Sequence, residues 1–432
     1  MKILYISQYY PPESAAPAVR ASELGRFWTA AGHSINILTG FPNHPTGKLD
    51  PAYRSQIWRM CLTEDDNGIQ INRTWLIPLP NRKPWERMLN FLSFFVSAVL
   101  RGMFLSKPEV VIATSPQLLT ALAGWIIATR FGVPFVFEVR DLWPESLEAV
   151  GFSSKRSILV RVLGRVAGLL YRKASHIVVV TGPFKEYLQK VWSIPPEKIS
   201  VVPNAVDCEL LSPQDPAKEI VQEFGLEGRF VVGYIGNIGN AHGIETLVEA
   251  AACLRNSDPD VLFLVIGEGA EKEKLQSLTA KRQLTNIRIF PAQPRSRIPG
   301  IIAATQVCLV LLRKSELFKT VIPTKMLEFM ACGRAVIAAV EGEARRIVVQ
   351  ADAGICTPPE DASAVALAIR WLRDNTARCS EMERNGRKFV VDNSSRKATA
   401  GDYLSLLKQL AQAGSDSKQV AAAATSAGRE TH

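Results

Sequence analysis

No two of the seven cysteines stand in a C-x-x-C spacing, and they are odd in number and scattered from Cys61 to Cys379. That excludes a disulfide framework and a cysteine-rich zinc site, and it fits a reducing compartment. The start lacks the charged region, apolar run and small-residue cleavage site of a signal peptide. Met1–Ile6 reads directly as a strand, so the expectation is a cytoplasmic chain. No apolar run is long enough to span a bilayer. Leu89–Leu105 is the longest, and Arg101 interrupts it. As a helix it reaches about 25 Å at ~1.5 Å per residue, against a hydrocarbon core of ~30 Å. With Asn90, Ser93 and Ser97 inside it, it reads as a buried or membrane-surface helix. A G-x-G-x-x-G fingerprint is missing, which argues against a dinucleotide oxidoreductase. No D-x-D motif stands in a suitable loop, so no metal is expected. Basic and aromatic residues do not interleave as nucleic-acid surfaces require, so no nucleic-acid partner is expected.

What is present is a chain of 432 residues, too long for one hydrophobic core and ordinary for a globular protein at 47% hydrophobic and 21% charged. Residues 1–200 hold 23 Lys+Arg against 14 Asp+Glu, while residues 201–432 hold 28 against 27, so nearly all of the net charge of +10 lies in the first half. Two readings fit a basic half: attraction to phosphates or anionic lipid, or simple solubility charge.

Short apolar runs alternate with amphipathic helical patterns from end to end. Strands are predicted at Ile3–Ile6, Ile35–Leu38, Val110–Ala113, Phe135–Val139, Ile177–Val180 and Ile199–Val202, with helices such as Ala18–Ala31, Gln117–Thr129, Ser157–Lys173 and Phe184–Val191 between them. Continuous β-branched strands separated by helices mean a parallel sheet covered on both faces. Glu64-Asp65-Asp66-Asn67-Gly68 predicts a hairpin turn inserted in this half. The pattern restarts after Pro203-Asn204, with strands at Val231–Ile235, Val261–Ile266, Ile287–Phe290, Val307–Leu312 and Ala335–Ala338. The fold class is therefore α/β, two doubly wound units in series: 1–203, and 204–394, with a helix at 395–411 returning to the first unit. Val206–Pro216 reads as a linker and 412–432 as a disordered tail. Twin units of this kind bind ligands at the carboxyl ends of their strands, in the cleft between them.

Four motifs carry chemistry. The longest runs from Ile322 through Pro323-Thr324-Lys325-Met326-Leu327-Glu328 to Gly333 and on to Ile337. Proline suits a helix start, and glycine ends one. The N–H groups of Thr324 and Lys325 would point outward unpaired, a ready anion site to which Lys325 adds a full charge. Glu328, one turn further, can accept both hydroxyls of a ribose. The second motif, Gly233 through Gly236, Asn237, Gly239 and His242 to Glu245, reads as strand, glycine-rich loop and helix. Its glycines would let backbone N–H groups approach a diphosphate. His242 either donates to a phosphate or packs at the helix start. The third, Phe137-Glu138-Val139-Arg140-Asp141-Leu142-Trp143-Pro144-Glu145, follows a strand. It offers a ring to stack on and carboxylates for sugar hydroxyls, or else a cluster of ion pairs. The fourth is the loop Gln8–Arg20 after the first strand, with Pro12, Glu13, Ala16 and Arg20, joined by Gly40–Gly47 after the second strand, with Asn43 and His44. His44 is either a general base or incidental.

The two-unit layout and these motifs resemble glycosyltransferase family 4, with the GT-B fold, over about residues 1–395. ILYISQYYPPE, TGFPNHPTG, RDLWPES, GNIGNAHGIETL and IPTKMLEFMACGRAVIAAV resemble more narrowly the bacterial surface-polysaccharide subgroup that includes N-acetyl-L-fucosamine and colanic-acid transferases. The resemblance implies a retaining transferase. Its donor would be a nucleoside-diphosphate sugar, UDP-linked and possibly of an N-acetylated amino sugar, and the enzyme would need no further cofactor. The acceptor implied is a polyprenyl-diphosphate-linked glycan of exopolysaccharide, O-antigen or capsule synthesis, met at an anionic membrane surface on the inner face of the cytoplasmic membrane. Ser157–Lys173, with Arg161, Arg165, Arg172 and Lys173 among Leu and Val, is either a lipid-facing helix or a core helix with a solvated basic face.

By the same resemblance the candidate catalytic residues are Lys325, Glu328, Arg140 and Asp141. Donor binding falls to Gly236, Asn237, Gly239, His242, Arg313, Pro323, Thr324, Lys325 and Glu328, and acceptor binding to Pro12, Glu13, Ala16, Arg20, Asn43, His44, Trp143 and Glu145. The chain also departs from the family pattern. Of the two glutamates separated by seven residues, Glu328 matches the second, and Thr320 stands where the first belongs. Asn237 and His242 replace an arginine and a lysine of the glycine loop, and Arg140-Asp141 replaces a His-Asp pair. Competing readings are a UDP-sugar 2-epimerase on the same fold, for which five histidines are few, and a non-catalytic nucleotide-binding scaffold of a glycan-assembly complex.

Overall fold

The computed structural model describes residues 1–13, 15–44, 47–79, 84–115, 117–143, 145 and 158–427. They form two compact units. One holds the described residues up to Glu145, residues 158–203, and Lys397 onward; the other is Asn204–Arg396.

The first unit contains β1 (Lys2–Ile6), α1 (Ala16–Ala30), β2 (Ser34–Gly40), the hairpin β3 (Cys61–Asp66) and β4 (Ile69–Thr74), and α2 (Pro84–Gly102). There follow β5 (Val110–Thr114), α3 (Leu118–Phe131), β6 (Phe135–Val139), α4 (Ile158–Lys173), β7 (His176–Val179), α5 (Gly182–Trp192) and β8 (Ile199–Val201). The sheet order is β3-β4-β2-β1-β5-β6-β7-β8, parallel except for the β3–β4 pair. Tyr5 of β1 lies opposite Ile37 of β2 and Ile112 of β5. The order reverses at β1, so loops after β1, β2, β5 and β6 gather at one edge. The hairpin turns on Asn67 and Gly68, both at positive φ, 53° and 85°, as a two-residue turn with the strands' own twist requires.

The second unit contains α6 (Lys218–Phe224), β9 (Phe230–Ile235), α7 (Glu245–Leu254), β10 (Val261–Ile266), α8 (Lys272–Lys281) and β11 (Ile287–Phe290). It continues with α9 (Ile298–Ala303), β12 (Val307–Leu311), α10 (Thr324–Ala331), β13 (Ala335–Ala339), α11 (Gly342–Ala351), β14 (Gly354–Thr357), α12 (Ala362–Asp374) and α13 (Thr376–Asn393). Its sheet is all parallel, in the order β11-β10-β9-β12-β13-β14. Every residue of β10, β12 and β13 is buried, because helices cover both faces.

One expectation is corrected. Val206–Pro216 is no linker: Val206 and Leu211 belong to the second unit's core, and Arg387 of α13 donates to the carbonyls of Cys208 (3.0 Å) and Leu211 (2.7 Å). The last helix is α14 (Arg396–Ala427), rich in alanine, the best helix former. Residues 428–432 of the expected tail lie outside the described residues. The first turns of α14 return to the first unit. Trp28 donates through Nε1 to the Ala400 carbonyl (2.9 Å), and its ring meets Tyr403 edge-on at 5.4 Å. Among the described residues no helix is long and apolar enough to cross a membrane.

Candidate functional site

In the second unit the loop after β9 and the start of α10 converge on one lysine. Pro323 occupies the N-cap position of α10 and makes no side-chain cap bond. The helix stops where Gly333, at φ 66°, lets the Arg334 N–H return to the Phe329 carbonyl (3.0 Å). From the first turn Lys325 reaches back over β9. Its Nζ donates to the Tyr234 hydroxyl (3.1 Å) and lies 4.2 Å from that ring's centre. Burial pushes the ammonium down to about 7, against the pull of Glu328 in the other direction. Lys325 is only partly exposed, and a cation so placed binds an arriving anion more strongly than one in bulk water does.

Gly236 has to be glycine. Its φ is 133°, and a β-carbon there would stand 3.4 Å from Lys325 Cε. The next crossing is far tighter: a β-carbon on Gly267 would run into the Gly236 carbonyl oxygen. Ile238 then exchanges hydrogen bonds with the neighbouring loop, donating to Glu268 (2.9 Å) and accepting from Glu271 (2.9 Å). The side chain of Asn237 lies against the backbone positions of Gly239 and Gly269. His242 donates through Nδ1 to the Leu311 carbonyl (3.1 Å), which leaves Nε2 as its acceptor. Burial, then the charge of Lys325, pushes this imidazole down to about 3. It is neutral at pH 7.

Two partners alter the picture drawn from sequence. Arg313 is not held out for a phosphate. Its Nε donates to the Asn240 carbonyl (2.6 Å), and its Nη2 forks onto Glu245 at 3.0 and 3.1 Å. Glu271 and Glu360 stand at 3.7 and 3.8 Å. A guanidinium so placed fastens the glycine loop, because its planar fork matches a carboxylate better than any single contact. Glu328 meets Arg295 at 2.7 Å through Oε1, so the carboxylate is held by a partner that the sequence did not mark. Neither Arg295 nor Tyr234 was singled out. Tyr234 lies inside the quoted glycine motif, but Arg295 lies 33 residues before Glu328 in a stretch with no motif.

In the first unit Glu13, 6% exposed, ties two loops together. It accepts the N–H groups of Asn43 (3.0 Å), His44 (2.8 Å) and Tyr10 (3.3 Å). Burial raises it to about 7, against those bonds. Beside it lies a cavity of about 300 Å³ lined by Pro12, Glu13, Asn43, His44, Lys48 and Arg54. The His44 ring lies 4.9 Å from Tyr9, and burial, then Arg87, pushes it down to about 4. That is too weak a base to hold a proton near neutrality. Ala16 opens α1, whose start also lacks a side-chain cap. Arg20 is a correction. At 1% exposure it is bound to Glu138 (3.1 Å) and to the carbonyls of Val202 (3.2 Å) and Pro203 (3.0 Å), so it is a core fastener out of an acceptor's reach.

The loop after β6 is fixed by Ser115, whose Oγ accepts the N–H groups of Arg140 (2.7 Å) and Asp141 (3.1 Å). Burial raises the Asp141 carboxyl, against Arg140. Nε and Nη1 of Arg140, Nε1 of Trp143 and both amide atoms of Gln117 are buried with no hydrogen-bond partner among the described residues. Native proteins rarely leave such groups bare, and here they cluster at adjoining strand ends. Gln117 was missed because nothing in the sequence marks it. Glu145 accepts from the Tyr187 hydroxyl. Ser14, Pro45, Thr46, Pro144 and Ser146 of the quoted motifs, and Ser157, lie outside the described residues. Among the described residues no group of three or more His, Cys, Asp or Glu could hold a metal.

Two family models match, "Glycosyl transferases group 1" over residues 217–389 and "Glycosyl transferase 4-like domain" over residues 16–205. The chain is 25% identical to the putative colanic acid biosynthesis glycosyl transferase WcaI of Escherichia coli K12, over 91% of this chain and 99% of that one. The fold is similar to sucrose-phosphate synthase of Thermosynechococcus elongatus, at a TM-score of 0.73 and 20% identity over 95% of this chain and 99% of that one. It is also similar to HepE of Anabaena in complex with UDP and glucose, at a TM-score of 0.70 and 18% identity over 95% of this chain and all of that one. One model falls on each unit, together they span most of the chain, and each unit is a doubly wound parallel sheet: the chain is a glycosyltransferase and belongs to family 4, with the GT-B fold.

Proposed function

We propose that this enzyme moves a sugar, with retention of anomeric configuration, from a UDP-linked donor to a lipid-linked oligosaccharide in bacterial surface-polysaccharide synthesis. It acts at the inner face of the cytoplasmic membrane, and the sugar is an N-acetylated amino sugar. The observation that carries the donor half is Lys325: a partly buried cation beside a glycine loop, at the start of an uncapped helix. The UDP complex of HepE and the name of WcaI favour the nucleotide and the pathway class.

In this reading the donor diphosphate lies against Gly236 and the α10 start, with Lys325 on its oxygens. Glu328, steadied by Arg295, accepts the ribose hydroxyls. The glycosidic C–O bond breaks, negative charge grows on the leaving diphosphate, and the acceptor oxygen attacks the same face. The acceptor's proton passes to the departing diphosphate oxygen. Lys325 and the helix end stabilise that charge, a preorganised effect often worth ~3–4 kcal/mol per donor group. Arg140, Gln117 and Trp143 offer unpaired groups to the sugars, and the cavity beside Glu13 and His44 receives part of the acceptor. The epimerase alternative would have to work without His44 and His242, whose imidazoles stay neutral and weakly basic at pH 7.

The test is thermal shift with UDP, GDP, ADP and dTDP at equal concentration, on wild type and Lys325→Ala. A ligand at a hundred times its Kd stabilises by ~2.7 kcal/mol, a shift easily read. Wild type is expected to respond to UDP above the others, and the variant to lose most of that response. Wild type responding to none would overturn the donor reading.

A further inference from the structure

α2 is apolar outward as well as inward, where Phe94 and Ala98 are fully buried. Asn90, Ser93 and Ser97 are turned inward and buried, and each spends its polar atoms there. Asn90 donates to the Ile77 carbonyl (2.8 Å) and accepts from Gln8 (2.6 Å). Ser93 accepts the Ile77 N–H (2.9 Å), and Ser97 donates to the Trp75 carbonyl. The outward positions are Trp85, Met88, Leu89, Leu92, Val96 and Leu100, between 39% and 58% exposed. At 100° per residue these six fall within one stripe about 120° wide. At ~1.5 Å per residue the stripe is about 22 Å long. The charged residues of α2 (Glu86, Arg87 and Arg101) are only partly exposed and leave the stripe unbroken. Phe104, 83% exposed, extends it beyond the helix end. A surface of this kind marks contact with something apolar.

The neighbouring helices say what that is. α3 packs against both α2 and α4, so the three lie side by side. The outward positions of α4 are Ile158, Arg161, Val162, Arg165, Arg172 and Lys173. One face thus joins an apolar stripe to a row of cations, the two features an anionic lipid leaflet engages together. A second copy docked isologously would set the same cations near one another. We propose that the α2–α3–α4 face docks on an anionic bilayer, with the α2 stripe sunk into the boundary between headgroups and acyl chains and the α4 cations on the headgroup phosphates. The principal contact is then apolar burial by α2, not the charge of the basic helix. The inference deepens the membrane location proposed above and rests on no part of the donor reading.

The test is co-sedimentation of the full chain with vesicles of phosphatidylcholine, with and without phosphatidylglycerol. Wild type is expected to pellet with the anionic vesicles. The triple substitution Leu89→Ser, Leu92→Ser, Val96→Ser should weaken this at least about tenfold, at low and high salt alike. Arg161→Glu with Arg165→Glu should weaken it only at low salt, since screening removes that part anyway. Retention of the nucleotide thermal shift shows that each variant is folded and keeps the two readings separate. Should the triple variant not fold, wild-type tryptophan quenching by brominated acyl chains, reduced in Trp85→Phe, reads the same insertion. The proposal is overturned if wild type stays in the supernatant with both vesicles, if the folded triple variant pellets like wild type, or if wild type is a dimer that the triple variant dissociates.

Discussion

The two units share an architecture but equip it differently. In the second unit the loops at the carboxyl edge are set by charge: Arg313 on Glu245, Arg295 on Glu328, and Lys325 beside Gly236. In the first unit the equivalent edge relies more on buried groups: Glu13 raised to about 7, His44 lowered to about 4, and polar atoms of Arg140, Gln117 and Trp143 with no hydrogen-bond partner among the described residues. A site for a fixed diphosphate gains from preorganised charge. A site for sugar hydroxyls gains from neutral donors and acceptors that wait for a partner. In the proposed reading the same fold thus separates an electrostatic task from a recognition task.

Substitutions can break or sharpen that comparison. The largest expected effect is structural. Arg20→Met strands Glu138 in the core of the first unit and should cost about 3–5 kcal/mol of stability, read by denaturant unfolding, with little change in nucleotide affinity for the protein that remains folded. Lys325→Ala comes next, with turnover lower by roughly 10²–10³ and the acceptor's KM almost unmoved. Arg295→Ala should loosen Glu328 and weaken nucleotide binding by about 10–100-fold in calorimetry, the worth of a hydrogen bond to a charged group. Smallest is His44→Asn. An imidazole that titrates near 4 contributes no step to the rate profile at neutral pH, so the variant should shift the acceptor's KM and leave the shape of that profile alone.

Much of this was legible in the sequence because it depends on local pattern. The runs Val261–Ile266 and Val307–Leu312 could only be buried parallel strands, and Asn67-Gly68 could only turn a hairpin. Pro323 and Gly333 bracket α10 as their backbone preferences demand. What stayed hidden depends on pairing across the chain. Arg20 and Arg313 look like ligand-binding arginines until the structure brings Glu138 and Glu245 to them. β14 was passed over because Gly354-Ile355-Cys356-Thr357 is short and only half apolar. Ser212-Pro213 and Asp215-Pro216 gave Val206–Pro216 the composition of a linker, while Arg387, far along the chain, pins its first half.

The central claim is that Lys325, partly buried in the second unit, is the charge that meets the donor diphosphate. It is tested most directly by nucleotide affinity as a function of pH, in wild type and in Lys325→Met. The free lysine titrates near 7. A bound diphosphate favours the charged form and raises that value, so binding takes up a proton above pH 7. Wild-type affinity should therefore fall from about pH 7 to about pH 9, by at most ~tenfold per pH unit. The Lys325→Met variant should bind weakly with a flat profile. Equal affinities and matching profiles in the two proteins would contradict the account.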